Sequence, residues 1–200
     1  MKYVAWCCCA LVFLCVLSVG AQTCFDAFGP SFLAITGGSK VVQKISVDVL
    51  GSSVGQVTLE PVPEPKGGDA ICFRMRFTTR SGFGLTSIRG GIFSKAELIP
   101  EPAEYPNRRN VAKVVKKRGL PPGTILTSLS LVICQDEIVA DPTGCCDGSP
   151  LSWIAHAIVT QENVGKVRAE MLPDASCLTR VGDGPDISVC EVSVECTKLK

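Results

Sequence analysis

Alternation of apolar and polar side chains is the feature of this sequence that most constrains its fold. In the segment 71–78 every second side chain is apolar, and two of the side chains between them are Arg74 and Arg76. Successive side chains of a β-strand point to opposite faces, so this segment is predicted to be a strand with one buried face. Similar patterns predict further strands at 32–36, 44–49, 54–60, 85–93, 124–134, 152–160, 166–171 and 187–195.

The segments between the predicted strands are rich in Gly and Pro, which favour turns. Only 111–118 is predicted to form a short helix. The segment 124–134 is apolar on both faces and is predicted to be a central strand, whereas 60–68 contains three prolines and is predicted to be a connector. Many short strands without a long helix indicate a β-sandwich or a barrel. We expect an all-β fold, namely a disulfide-stapled antiparallel β-sandwich of Ig-like or jelly-roll-like type with at most one short helix.

The N-terminal residues 1–21 have the layout of a secretory signal peptide. Lys2 is the only charge, a long apolar run follows, and the segment ends in the small residues Gly20 and Ala21. A retained transmembrane anchor is the alternative, but no basic cluster follows the apolar run to stop transfer. We expect cleavage after Ala21, a single secreted, extracellular, cysteine-rich β domain at 22–200, and no stable membrane insertion.

Eight cysteines lie beyond this leader, and an even number in an exported chain predicts four disulfides. Adjacent Cys145 and Cys146 are expected to bond two different partners, while the connectivity stays open. No metal and no cofactor are expected, because this doublet is the only close pair and His156 is the only histidine. The predicted disulfide cysteines are Cys24, Cys72, Cys134, Cys145, Cys146, Cys177, Cys190 and Cys196.

The overall charge argues against a general nucleic-acid binder. Loss of the leader removes Lys2, so that the 20 Lys and Arg residues become 19 and balance the 19 Asp and Glu residues. Locally, however, six cations occupy the eleven residues 108–118 without an acid, directly after an acidic stretch with Glu97, Glu101 and Glu104. This basic segment is a candidate site for a sulfated or uronic polysaccharide, and the alternative is a solvated face neutralised by the acidic stretch. Its cations are Arg108, Arg109, Lys113, Lys116, Lys117 and Arg118.

His156 and a group of acids are the candidates for catalysis. In a strand at 152–160, His156 shares a face with Ile154 and Ile158, and such apolar surroundings favour a core or sheet-surface histidine over a general base. The acids could hydrolyse a glycoside or bind calcium, although their spacing matches no calcium loop. These acids are Asp136, Glu137, Asp141 and Asp147. We therefore predict no catalytic residue.

The cysteine-bridged β plan resembles the domains of algal extracellular-matrix glycoproteins of the pherophorin type. The residues that carry the resemblance are Ala70-Ile71-Cys72-Phe73 and the Cys145-Cys146 doublet. The paired-cysteine opening and the Pro-rich rod of that family do not occur in this sequence.

These observations favour a secreted, non-enzymatic extracellular binding or matrix module that contacts a glycan or a protein partner. One alternative is a secreted effector or inhibitor that acts on a host or partner protein. Another is a secreted hydrolase that uses His156 or the acids at 136–147. The first alternative is distinguished by capture of a protein partner, and the second by loss of activity when these side chains are replaced.

Overall fold

Antiparallel strands dominate the computed structural model, which describes residues 22–23, 31–36, 38–47, 53–65, 67, 71–101, 104–140, 149–161, 164–172, 177–180 and 187–198. Within this part of the chain one α-helix, α1 (Val111–Lys117), and two short 3₁₀ segments, Ala96–Leu98 and Gln135–Glu137, accompany the strands. The strands are β1 (Gln22–Thr23), β2 (Ser31–Ile35), β3 (Val41–Ser46), β4 (Ser53–Pro63), β5 (Ile71–Thr79), β6 (Phe83–Phe93), β7 (Asn107–Asn110), β8 (Ser128–Cys134), β9 (Val139–Ala140), β10 (Leu151–Gln161), β11 (Gly165–Met171), β12 (Cys177–Arg180), β13 (Ile187–Val192) and β14 (Val194–Lys198).

Twelve of these strands form one sheet with the order β1-β9-β6-β10-β11-β3-β4-β5-β8. β7 pairs with β6, and β13 pairs with both β10 and β12, while β14 and β2 form a separate two-stranded sheet. The short β6–β9 pair is parallel, and the other pairs are antiparallel. The fold is therefore mostly antiparallel β, as expected.

Backbone contacts between β6 and the residues before β8 bring the sheet close to a closed barrel. The amide of Leu85 in β6 donates a hydrogen bond of 2.8 Å to the carbonyl of Leu126, and these two residues form an antiparallel bridge. The residues just before β8, the last strand in the order, thus lie beside the beginning of β6. The Ig-like or jelly-roll-like sandwich is not confirmed by this strand order and stays a prediction.

The core lies between two walls of this nearly closed sheet. In one wall, register places Met75 of β5 beside Leu59 of β4 and Leu131 of β8, and all three side chains are buried. In the other wall, register places Trp153 of β10, which is fully buried, beside Ile92 of β6. Burial of such side chains contributes about 1.5–3 kcal/mol each, so this interior is the main source of stability.

The predicted strands are largely present, although their bounds differ. The segment predicted at 71–78 is β5, and the predicted short helix is α1. The segment predicted at 187–195 is divided at Ser193 into β13 and β14. The prediction of a central strand at 124–134 is wrong, because β8 begins at Ser128 and stands last in the strand order. The strand that is buried on both faces is β10.

The prediction of a connector at 60–68 is also wrong in part, because β4 continues to Pro63 and pairs with β5 up to Ile71. The pairing of β4 with β3 stops at Leu59, so from there β4 has a partner on one side only. Proline lacks an N–H group and fits a strand at such an edge. Pro61 and Pro63 are therefore compatible with the strand.

Two of the predicted disulfides lie within the described residues. Cys72–Cys134 joins β5 to β8, and Cys177–Cys190 joins β12 to β13. In both, the two cysteines are direct partners in the strand register, so each bond links neighbouring strands. The described residues include no helix that is long and apolar enough to cross a membrane. The predicted leader 1–21, Cys24, Cys145, Cys146 and the side chain of Cys196 lie outside the described residues.

Gly90 of β6 lies where a residue of the opposite wall, Met75 of β5, approaches it closely. A Cβ atom at Gly90 would lie 2.5 Å from Sδ of Met75 and 2.8 Å from the backbone oxygen of Ile154. We expect Gly90→Ala to lower the free energy of unfolding by about 1–3 kcal/mol, because the backbone cannot turn away. Urea unfolding followed by Trp153 fluorescence measures this loss.

Gly84→Ala in the same strand is the matched control. Its Cβ atom would meet Cγ2 of Ile125 at 2.6 Å, but Ile125 is 73% exposed and can turn into solvent. An equal loss of stability in the two variants would contradict the close approach at Gly90.

Candidate functional site

The basic segment folds into β7 and α1, which follow one another without a gap. β7 pairs with β6 in the register Arg108↔Arg89 and Arg109↔Ile88. The side-chain oxygen of Asn110 accepts a hydrogen bond of 3.3 Å from the amide of Lys113, which caps the first turn of α1. Gly119 has φ +65° directly after the last turn, where a residue without a Cβ atom ends a helix at low cost.

α1 has one apolar face and one basic face. Val111 and Val115 are buried against the core, whereas Lys113, Lys116 and Lys117 are exposed. Residues three and four apart share a helix face, so these lysines form one cluster with about 5–6 Å between neighbouring Cβ atoms. Lys116 and Lys117 also lie in the last turn, where the helix dipole favours positive charge.

The two arginines of β7 do not form one cluster. Both are exposed, but they are consecutive in a strand and their side chains point to opposite faces. By register, Arg108 shares the face of Arg89 and His156. The structure therefore brings three lysines of the predicted site together on α1 and separates Arg108 from Arg109.

None of the six cations of the basic segment forms an ion pair with another described residue. Two arginines of β5 differ, since Arg74 and Arg76 approach Oε1 of Glu60 at 3.2 and 3.6 Å. The acids of the preceding stretch, Glu97, Glu101 and Glu104, are exposed and also make no ion pair with a described residue. Direct neutralisation by these acids is thus not observed.

A groove of about 1330 Å³ lies beside α1, at the end of the sheet where β6 and β11 begin and β10 ends. We call it the α1 groove. Its surface is mostly apolar, and Lys116 and Lys166 are the charged residues among the lining residues described. Its apolar side chains include Phe83, Leu85, Val111, Val115, Leu120 and Ile125.

The α1 groove was not predicted from the sequence. Its residues come from the β5–β6 turn, from α1, from the loop after α1 and from the β10–β11 hairpin, which are distant along the chain. The one local signal is Ile125, an apolar residue in a turn-rich segment that is 73% exposed. Single exposed apolar residues are common, so this signal alone does not indicate a site.

His156 lies on β10 between the arginine and glutamate of two neighbouring strands. It faces Arg89 of β6 and Glu170 of β11, and Arg168 is one position further along the same face. Its side chain is only 5% exposed, and neither ring nitrogen has a hydrogen-bond partner. Burial, together with the smaller effects of the positive charges of Arg168 and Arg89, lowers the pKa of His156 from 6.5 to about 4. The ring is therefore neutral at neutral pH.

The predicted face of His156 is confirmed, and the side chain is buried without a hydrogen bond to another described residue. No hydroxyl or thiol among the described residues forms a hydrogen bond with either nitrogen. A base that activates a nucleophile requires such a contact. The arrangement therefore offers no support for a catalytic role, and the hydrolase alternative stays untested.

The acidic candidates lie close to a disulfide. Asp136 and Glu137 are exposed in a 3₁₀ segment, and Oε2 of Glu137 accepts a hydrogen bond of 2.8 Å from the amide of Cys134. The sulfur of Cys134 lies near both carboxylates, but it is bonded to Cys72 and is not a thiolate ligand. Asp141 and Asp147 lie outside the described residues.

The fold and these surfaces define a disulfide-bonded, mostly antiparallel β protein with an exposed basic segment and an adjacent apolar groove. Comparisons of the chain with known protein families, curated proteins and solved structures found no match. The resemblance to pherophorin-type domains therefore stays a prediction.

Because His156 is buried, we expect the stability of the folded protein to fall in acid. Its pKa is about 4 in the folded protein and 6.5 without burial, so the unfolded chain binds the proton more readily. The free energy of unfolding should therefore fall as the pH drops from about 6.5 to about 4, by about 3 kcal/mol for this group. Urea unfolding at pH 7, 5.5 and 4.5 measures this effect.

The variant His156→Phe isolates this contribution, since it keeps a ring but does not titrate. We expect it to be at least as stable as the wild type at pH 7, because it removes two buried nitrogens without partners. The carboxylates are common to both proteins and cancel in the difference. A difference in stability that does not change with pH would contradict the lowered pKa.

Proposed function

We propose that this protein is an extracellular, non-enzymatic binding module whose basic segment contacts an acidic polysaccharide. The observation that carries the proposal is the set of six cations on β7 and α1, all exposed and without an ion pair among the described residues. Cations without protein partners retain their full attraction for an external anion. The disulfides and the predicted leader are compatible with an extracellular location.

The charge balance of the chain favours a local interaction. Because the net charge without the leader is near zero, long-range attraction of anions by the whole protein is weak. Attraction therefore depends on the lysine cluster of α1 and on the neighbouring arginines at distances within a Debye length of about 8–10 Å. A chain with repeated sulfate or carboxylate groups satisfies several such cations at once, which a single small anion does not.

Binding of heparin as a function of salt tests this proposal. Polyanion binding releases counterions, so the logarithm of the affinity falls linearly with the logarithm of the salt concentration, in proportion to the number of contacts. The variant Lys113→Gln/Lys116→Gln/Lys117→Gln removes the three lysines that share one face of α1, and we expect the slope to fall by half or more. Titration calorimetry at several NaCl concentrations measures the slope.

A matched variant, Lys40→Gln/Lys44→Gln/Arg80→Gln, removes the same charge from exposed positions outside the basic segment that also form no ion pair with a described residue. We expect it to keep the wild-type slope. Equal losses in the two variants, or no salt-sensitive binding by the wild type, would sink the proposal. Single changes at Arg108 and Arg109 should have unequal effects, because these side chains lie on opposite faces.

A further inference from the structure

We propose that the α1 groove binds a small amphipathic anion of the fatty-acid type. In this arrangement the carboxylate lies at Lys166, and the hydrocarbon chain lies along the apolar side chains. The proposal concerns a ligand and a contact surface other than those of the polysaccharide. Lys116 is common to both sites, whereas Lys166 lines the groove alone.

The floor of the groove includes a glycine, Gly84 of β6. Register aligns Gly84 of β6 with Thr160 of β10, and Thr160 with Lys166 of β11, so these three positions form a row on one face of the sheet. Ile125 covers Gly84 so closely that a Cβ atom at Gly84 would lie 2.6 Å from Cγ2 of Ile125. Ile125 can therefore lie directly against the sheet because position 84 has no side chain.

The hydroxyl groups on this floor are bonded to each other, so they do not need a hydrogen bond from a ligand. The hydroxyls of Thr86 and Thr160 lie 2.9 Å apart and form a hydrogen bond with each other. The walls are formed by apolar side chains, of which Val111 and Val115 belong to the buried core. The groove therefore lies between a helix attached to the core and a sheet. Binding of an apolar ligand should cost little conformational entropy, because these elements are already ordered.

Two exposed side chains favour an apolar occupant. Ile125 is 73% exposed and Leu120 is 37% exposed, and both line the same groove. Covering them removes apolar surface from water, which is favourable by about 25 cal/mol per Å². A polysaccharide does not provide this gain because its surface is polar.

Charge complementarity selects an anion. The described lining residues include Lys116 and Lys166 and no Asp or Glu. The two lysines come from α1 and from β11, on different parts of the lining. The volume of about 1330 Å³ exceeds the roughly 300–1000 Å³ of common ligand pockets, so the groove accommodates a long chain as well as its head group.

A fluorescent fatty acid, dansyl-labelled undecanoic acid, is the probe for this site. We expect saturable binding of one probe per protein and displacement by oleate, but not by an amine with the same hydrocarbon chain. Lys166→Gln should weaken binding about fivefold, the range of a partly exposed ion pair. Lys113→Gln, on the same helix as Lys116 but not in the groove, is the matched control and should have no effect.

Ile125→Asp tests the apolar wall and places a negative charge beside the ligand. Because Ile125 is exposed, this variant should fold, and we expect it to lose probe binding. Val42→Asp, at another exposed apolar position, is its control and should bind as the wild type does. Far-ultraviolet circular dichroism verifies the fold of each variant.

The outcomes separate this site from the polysaccharide site. Lys166→Gln should leave heparin binding unchanged, so the failure of one proposal does not imply the failure of the other. Absence of saturable probe binding overturns the fatty-acid site. Equal effects of Lys166→Gln and Lys113→Gln, or equal displacement by the amine, also overturn it, and the groove would then need an occupant of other chemistry, such as an apolar peptide.

Discussion

The structure depends on the contact between β6 and the residues just before β8, the last strand in the order. The hydrogen bond from the amide of Leu85 to the carbonyl of Leu126 brings the residues before β8 to the start of β6. This contact turns an open sheet into a nearly closed one, so the apolar faces of β4, β5 and β8 cover those of β6 and β10. The approach is close because position 90 has no side chain, and Met75 occupies the space beside it. Without closure, both walls would expose large apolar surfaces to water.

Closure also explains where the candidate surfaces lie. The connection from β6 to β8 contains β7, α1 and the loop after α1, and it is fixed at both ends by the strands that close the sheet. Within it, the buried Val111 and Val115 attach α1 to the core, and this fixes the opposite, lysine-bearing face toward solvent. The same attachment forms the α1 groove between the helix and the strand ends. One short helix therefore contributes to both surfaces, and Lys116 lies where they meet.

Local patterns predicted what depends on local physics. The alternation in 71–78 identified β5, and the predicted short helix at 111–118 is α1, which begins after its cap Asn110 and ends before Gly119. β7 was missed because its residues Asn107–Asn110 are all polar, and it is a strand only because β6 offers an edge. Pro61 and Pro63 led to the wrong prediction of a connector. A strand accepts proline where it has a partner on one side only, and for β4 this depends on where its pairing with β3 stops. The groove joins Gly84, Ile125 and Lys166, whose proximity follows from strand pairing and not from their spacing.

On the face of β6, β10 and β11 that carries His156, burial and neighbouring arginines determine how much positive charge is present at neutral pH. His156 lies beside Arg89 and near Arg168, so it loses its proton near pH 4 and adds no positive charge at neutral pH. Arg168 lies 3.7 Å from Glu170, which balances one of these neighbouring charges. The lysines of α1 have no such partners among the described residues. Arg108 and Arg109 also make no ion pair with a described residue, but they point to opposite faces of β7, whereas three lysines share one face of α1. This grouping, more than the total number of cations, favours the helix as the main contact for an anionic chain.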